Sequence, residues 1–326
     1  MSSNSIHSVV ADEFALVNEY ILSQLKSEIP LIEQIGHYII SNGGKRLRPL
    51  MVLTAARACN PNIDTTHFDN IRMATTVEFI HTATLLHDDV VDESDMRRGK
   101  KTANEEWGNA PSVLVGDFLY SRAFQIMVDV GSMQCMKILA EATNVISEGE
   151  VQQLLNCGNP DTSEESYFKV IECKTAKLFE AALLCGAIMS NATEVQQTAL
   201  ASYGMHLGIA YQLIDDVMDY TSTAEEMGKN IGDDLAEGKP TLPLLYTMKH
   251  APQEAVLRVR NAIETGGLEQ LEQIITDVQN CGAIQHTQDR AIKHAELAVE
   301  AITDLEESSY RSALITLAKS SVSRRI

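Results

Sequence analysis

Two copies of one acidic signature, Asp-Asp-x-x-Asp, sit inside otherwise apolar, helix-patterned segments. The first runs through Asp88, Asp89, Val90, Val91 and Asp92; the second through Asp215, Asp216, Val217, Met218 and Asp219. The first and last Asp of each are four residues apart, so on a helix both carboxylates fall on one face, a turn apart. Like charges so placed repel and weaken an isolated helix. A divalent cation between them removes that cost. Hard, all-oxygen donors favour Mg²⁺, which keeps much of its water shell and is usually completed by substrate phosphates. Two such clusters point to several Mg²⁺ ions holding a diphosphate from both sides.

The rest of the chain supports a helical setting. Phe14, Val17, Ile21 and Leu25 form one stripe at helical spacing; Met73, Val77, Ile80 and Thr84 form another that runs into the first acidic cluster. Period-two strand runs are absent. With 44% apolar residues and one Trp, Trp107, among 326 residues, there is material for a core but little aromatic mass, a helical composition. Breaks fall at Ser41 to Gly44, Asn60 to Asn62, Gly158 to Pro160 and Gly238 to Pro243, none of them a Ser- or Pro-rich linker. A single all-α domain over residues 1–326 is therefore expected, with the more polar stretch beyond about residue 250 at its periphery. The segment Leu85 to Asp92 echoes Gln212 to Asp219. Duplication and independent arrival at one metal-binding solution both account for it.

A net charge of −19 argues against a broad nucleic-acid footprint. The six Cys residues, 59, 135, 157, 173, 185 and 281, show no CxxC or zinc spacing and read as buried free thiols of a reducing cytosol. No signal-peptide core and no long uncharged apolar run occur, so a soluble, cytoplasmic protein is expected.

In so acidic a chain the clustering of basic residues carries information. Gly43-Gly44-Lys45-Arg46-Leu47-Arg48-Pro49 crowds three cations together without local acidic partners. Arg97 and Arg98 lie just past the first cluster, Lys174-Thr175 offers a cation and a hydroxyl, and Lys229 and Lys239 flank a second acidic segment at Gly232 to Gly238. Arg presents a fork matched to phosphate, Lys a point charge. His81 precedes Asp88 by two helical turns and Gln212 precedes Asp215 by three residues, so each shares a face with its cluster. Surface ion pairs are the bland alternative. That alternative suits Lys100, Lys101 and part of the role of Arg46, and it suits the Gly43 to Pro49 run poorly.

The segments GGKRLRP (43–49), EFIHTATLLHDDVVDESDMRRG (78–99), GDFLYSRAF (116–124), GEVQQL (149–154), KTAKLF (174–179), YQLIDDVMD (211–219) and GKNIGDDLAEGKPTLP (228–243) resemble, in order, the trans-isoprenyl diphosphate synthase (polyprenyl synthase) family. The resemblance spans essentially the whole chain. It implies the isoprenoid synthase fold, a bundle of long antiparallel helices around a central active-site cavity, and a homodimer. It assigns Mg²⁺, about three ions with substrate bound, to Asp88, Asp92 and Asp215, supported by Asp89, Asp216 and Asp219. It assigns isopentenyl diphosphate to Lys45, Arg48, His81 and Arg98. The allylic diphosphate falls to Arg97, Lys174, Thr175, Gln212, Lys229 and Lys239, of which Lys174, Thr175, Gln212 and Lys229 also serve the chemistry.

The implied reaction joins isopentenyl diphosphate to an allylic primer such as farnesyl diphosphate by ionisation, attack of the double bond and loss of a proton. No protein nucleophile is needed, in keeping with the lack of a Ser-His or Cys-His arrangement. Small Ala83 and Thr84, five and four residues before Asp88, leave a tail tunnel open where short-chain members often carry aromatics; Met127 and Met136 are candidate floor residues. A long all-trans product, of octaprenyl length for a quinone side chain, is the expectation. A geranylgeranyl or other shorter-chain synthase is the alternative within the class, and a non-catalytic partner subunit the alternative outside it. A terpene cyclase normally lacks the second Asp-Asp-x-x-Asp and the basic loop. At most a peripheral membrane contact is expected, for product release.

Overall fold

The computed structural model describes residues 3–63, 68–222 and 232–323. Among them regular structure is almost all α-helical, as the periodicity predicts; the exception is a hairpin of two-residue antiparallel strands, Met96–Arg97 and Lys100–Lys101. The chain groups into two compact units, each assembled from three separate stretches.

The first unit comprises residues 1–143, 178–204 and 299–317. Its central element is the helix Phe68–Val91, which ends in the first acidic motif. Most residues of this helix are buried. Met73, Val77, Phe79, Ile80, Ala83 and Leu86 are buried, as are Thr75, Thr76 and Thr82. A helix buried over most of its circumference belongs inside a protein. It packs most extensively on the helix Asn109–Val130, then on Leu47–Cys59 and Ala11–Gln24. Burying each large aliphatic side chain contributes about 1.5–3 kcal/mol. An ion pair of Arg57 with Glu13, 2.7 Å long, ties Leu47–Cys59 to Ala11–Gln24.

The second unit comprises residues 144–177, 205–298 and 318–326. One of its cores gathers Tyr167, Ile171, Ala176, Ile209, Leu213, Ile214 and Leu242. Another gathers Tyr220, Leu235, Leu244, Val259, Ile263, Ile274 and Val278. The stretch beyond residue 250, expected to be peripheral, thus contributes Val259, Ile263, Ile274 and Val278 to a core shared with Tyr220, Leu235 and Leu244. Its helices Gln253–Thr265 and Leu271–Asn280 are strongly amphipathic, and averaging their polar faces with their apolar ones hid the buried stripe.

One irregularity bears on function. The helix Glu164–Ile171, capped by the Ser163 hydroxyl, widens into a π turn at Glu172–Ala176 before the helix Lys177–Met189 begins. Single π turns inside helices recur at functional sites, and this one carries Lys174 and Thr175. Two glycines of neighbouring helices press on it. A Cβ on Gly149 would lie 2.7 Å from Cys173 Cβ and 3.0 Å from the Lys174 amide nitrogen, and one on Gly208 would lie 2.5 Å from Ala176 Cα.

Candidate active site

Both acidic motifs end their helices. The helix Phe68–Val91 stops one residue before Asp92, whose amide donates to the Asp88 carbonyl at 2.8 Å. The helix Glu194–Met218 stops one residue before Asp219, whose amide donates to the Asp215 carbonyl at 3.2 Å. The C-terminus is the negative end of the helix dipole, where a carboxylate is least favoured. Grouping carboxylates there is unfavourable unless a cation balances them.

In each motif the middle Asp is buried and held by a neighbour, while the first is partly exposed. Asp89 is fully buried, and Arg97 donates to its Oδ1 from Nε at 2.7 Å and from a terminal nitrogen at 2.6 Å. Among the described residues its Oδ2, also buried, has no hydrogen-bond partner. Burial raises the Asp89 pKa and the Arg97 charge opposes the rise. Asp88 and Asp92 remain partly exposed. In the second motif Asp216 and Asp219 are buried and Asp215 is partly exposed. Tyr167 donates to Asp216 Oδ2 at 2.5 Å, the Gln212 amide donates to Asp216 Oδ1 at 2.9 Å, and the Thr175 hydroxyl donates to Gln212 Oε1 at 2.9 Å.

Among the described residues no three His, Cys, Asp or Glu side chains converge closely enough to hold a metal ion by themselves. An ion at Asp88 and Asp92 would therefore take the rest of its oxygens from water and a ligand, which is the habit of Mg²⁺. The donor set is all carboxylate and sits at the negative end of a helix, so the residues fit that ion.

From the basic run Arg48 comes near His81 and Arg98. His81 is largely enclosed, and burial lowers its pKa well below the ordinary value, with the Arg48, Arg98 and Arg97 charges adding to the effect. Both effects favour the uncharged imidazole. Arg98, exposed and at a positive φ of 54°, donates to the Gly43 carbonyl. Gly44 makes this possible: its φ is +123°, and a Cβ there would lie 2.4 Å from an Arg98 guanidinium nitrogen. Lys45 is exposed beside them. Arg46 has a structural role, donating to Asn18 Oδ1 and, at 3.0 Å, to the Ile40 carbonyl. Arg48 lies over the Phe179 ring at 4.7 Å.

In the second unit Lys174 pairs with Glu150 at 2.6 Å and donates to Gln153 at 2.7 Å, and Lys239 pairs with Glu237. Lys229 lies outside the described residues. Of the tail-length residues, Ala83 and Met127 are buried and Thr84 and Met136 partly so. The Thr84 hydroxyl donates to the His81 carbonyl at 2.8 Å. The sequence reading missed four residues that hold the site: Glu78, Glu150, Gln153 and Tyr167. Glu78, buried near Arg48, Arg46 and Arg98, is three residues before His81 and so on its face, which helical spacing alone could have flagged. Nothing local marks Tyr167.

The polyprenyl synthetase family model matches residues 29–278. The chain belongs to the polyprenyl synthetase family. Octaprenyl diphosphate synthases of Haemophilus influenzae and Escherichia coli are each 50% identical to it over 325 residues, 99% of this chain and 98% and 99% of theirs. A crystal structure of a Caulobacter crescentus polyprenyl synthase, complexed with calcium and isoprenyl diphosphate, matches with a TM-score of 0.96 and 41% identity, covering 100% of this chain and 98% of that one. The all-helical class expected from the sequence agrees with both. Among the described residues no helix is long and apolar enough to cross a membrane.

Proposed function

We propose that this chain is a Mg²⁺-dependent prenyltransferase that extends farnesyl diphosphate with isopentenyl diphosphate to a long all-trans polyprenyl diphosphate of octaprenyl length, serving a quinone side chain. One observation carries the reading. Both acidic motifs and the basic loop are intact in a chain half identical, end to end, to octaprenyl diphosphate synthases.

Asp88, Asp92 and Asp215, backed by Asp89, Asp216 and Asp219, would hold about three Mg²⁺ ions, which neutralise charge on the leaving diphosphate. Arg97, Lys174, Lys229 and Lys239 bind the remaining oxygens of the allylic diphosphate. Lys45, Arg48 and Arg98 bind isopentenyl diphosphate, and His81 donates one hydrogen bond to it. Ionisation breaks the allylic C–O bond and leaves a carbocation. The Thr175 and Gln212 oxygens face that cation and stabilise it. The isopentenyl double bond supplies the electron pair for the new C–C bond, and the departing pyrophosphate takes the proton. The apolar helix walls exclude water, which would quench the cation. Ala83 and Thr84 leave the tail path open and Met127 or Met136 closes it. The enzyme acts as a homodimer in the cytoplasm, with at most a peripheral membrane contact.

The test is kinetic. Asp88→Ala abolishes turnover and keeps the helical circular dichroism. Lys45→Ala raises the isopentenyl KM far more than the allylic KM. Wild-type turnover in Asp88→Ala, or the reverse KM pattern in Lys45→Ala, contradicts the assignment.

A further inference from the structure

Three hydrogen bonds link Tyr167, Asp216, Gln212 and Thr175 in one relay. Asp216 is buried, and a carboxylate only accepts. The Tyr167 hydroxyl donates to one of its oxygens at 2.5 Å and the Gln212 amide nitrogen donates to the other at 2.9 Å. An amide has a donor end and an acceptor end, so fixing its nitrogen on Asp216 fixes its oxygen on the opposite side. That oxygen accepts from Thr175 at 2.9 Å. A threonine hydroxyl has one proton, and here it is spent on Gln212. The Thr175 oxygen is left with lone pairs alone for whatever lies in front of it.

We propose that Tyr167 is a positioning residue which, through Asp216 and Gln212, holds the Thr175 oxygen as an acceptor toward a carbocation. The inference rests on the carbocation reading above. A freely turning Thr175 hydroxyl would present its positive hydrogen to the cation part of the time and oppose the ionisation it should assist. The relay forbids that rotamer. The Tyr167 ring is suited to anchoring it. It is 6% exposed, packs edge-on to Phe168 at 5.3 Å and lies in the same apolar cluster as Ile171, Ala176, Leu213 and Leu242. The hydroxyl at its tip has little freedom to follow another partner. A buried tyrosine hydroxyl ordinarily finds some acceptor. What sets this one apart is that its acceptor orients an amide which in turn orients a hydroxyl at the π turn.

Tyr167→Phe keeps the ring and removes the first donor. Turnover is expected to fall about ten- to a hundredfold, as for small misplacements of reacting groups, with the isopentenyl KM unchanged. Thr175→Val is expected to lose a similar factor, and the double variant to lose no more than Thr175→Val alone, because the two act as one unit. A purely structural role gives multiplying losses and overturns the proposal. A second readout needs neither substrate nor metal. The side-chain amide NMR signal of Gln212, identified by its loss in Gln212→Leu, shifts in Tyr167→Phe. An unmoved signal overturns the proposal. Should Tyr167→Phe fail to fold, 3-fluorotyrosine incorporated in the intact chain strengthens the phenol as a donor, and the Gln212 signal must again move. A wild-type protein without prenyl transfer defeats the function reading instead, and the NMR comparison still decides whether the relay exists.

Discussion

Arg97 sits on Asp89 with two nitrogens on one oxygen, Nε at 2.7 Å and a terminal nitrogen at 2.6 Å from Oδ1. Asp89 is wholly buried while Arg97 keeps about a third of its side chain exposed. The arginine therefore neutralises the middle carboxylate from the solvent side and leaves Asp88 and Asp92 partly open. Removing one partner of a buried pair strands the other charge, at about 3 kcal/mol or more. Arg97→Met should lower the thermal midpoint by several degrees. Asp89→Asn with Arg97→Met should recover most of that loss, since no charge is stranded, without recovering activity. Thermal unfolding of the three proteins checks this. A double variant no more stable than Arg97→Met contradicts the charge-balance account.

The π turn that carries Lys174 and Thr175 depends on bare backbone opposite it. A methyl group at Gly208 would lie 2.5 Å from Ala176 Cα, and one at Gly149 would lie 3.0 Å from the Lys174 nitrogen. Backbone atoms have nowhere to retreat. Gly208→Ala and Gly149→Ala should each cost about 1–3 kcal/mol, and Gly149→Ala should also raise the allylic KM by moving Lys174. Urea denaturation with steady-state kinetics checks both effects. Wild-type stability in the two variants would show that the turn is not clamped.

How much of this was legible in the sequence depends on how local each signal is. The two Asp-Asp-x-x-Asp motifs and the stripe from Met73 to Thr84 are periodic, and the structure has them on or at the ends of helices as expected; the contiguous basic run from Gly43 to Pro49 begins outside a helix and passes into the helix Leu47–Cys59. The partition of the three Asp residues was not readable. Spacing puts Asp88 and Asp92 on one face but does not say that Asp89 is buried under Arg97. The sequence leaves Arg46 only partly a structural residue, and its partner Asn18, which accepts its guanidinium hydrogen, lies 28 residues earlier. Tyr167 reaches Asp216 across 49 residues, and Lys174 reaches Gln153 across 21. Such pairings belong to packing, and no window of sequence contains them.

Tail length should respond to bulk one turn below the first motif. Ala83 is fully buried and Thr84 partly so. Ala83→Phe is expected to shift products toward shorter alcohols, with some loss of stability from overpacking. Thr84→Phe should shorten them at less cost to folding. Chromatography of the dephosphorylated products checks both. An unchanged product distribution in two folded variants means that the tail runs elsewhere.

Acid should destabilise the second unit through His294. Its Nδ1 lies 3.1 Å from Nδ1 of His206, its ring stacks on Phe168, and Arg290 lies over that same Phe. Burial first, then the His206, Arg290 and Lys293 charges, lowers its pKa to about 4. Glu172 acts the other way on His206. An unfolded His takes its proton near pH 6.5, so between there and about pH 4 the unfolded chain binds more protons than the folded one. Stability from this site is complete above pH 6.5 and is lost as pH falls toward 4. His294→Phe should flatten that part of the profile of thermal midpoint against pH. A profile as steep as that of the wild type rules His294 out as a source.

The most direct measurement is product analysis. Purified protein with Mg²⁺, farnesyl diphosphate and labelled isopentenyl diphosphate is allowed to turn over, and the dephosphorylated alcohols are separated by length. The account predicts octaprenol as the dominant product. A dominant geranylgeraniol would contradict the long-chain claim. No elongation by a folded protein would contradict the enzyme reading itself and leave the chain as a partner subunit.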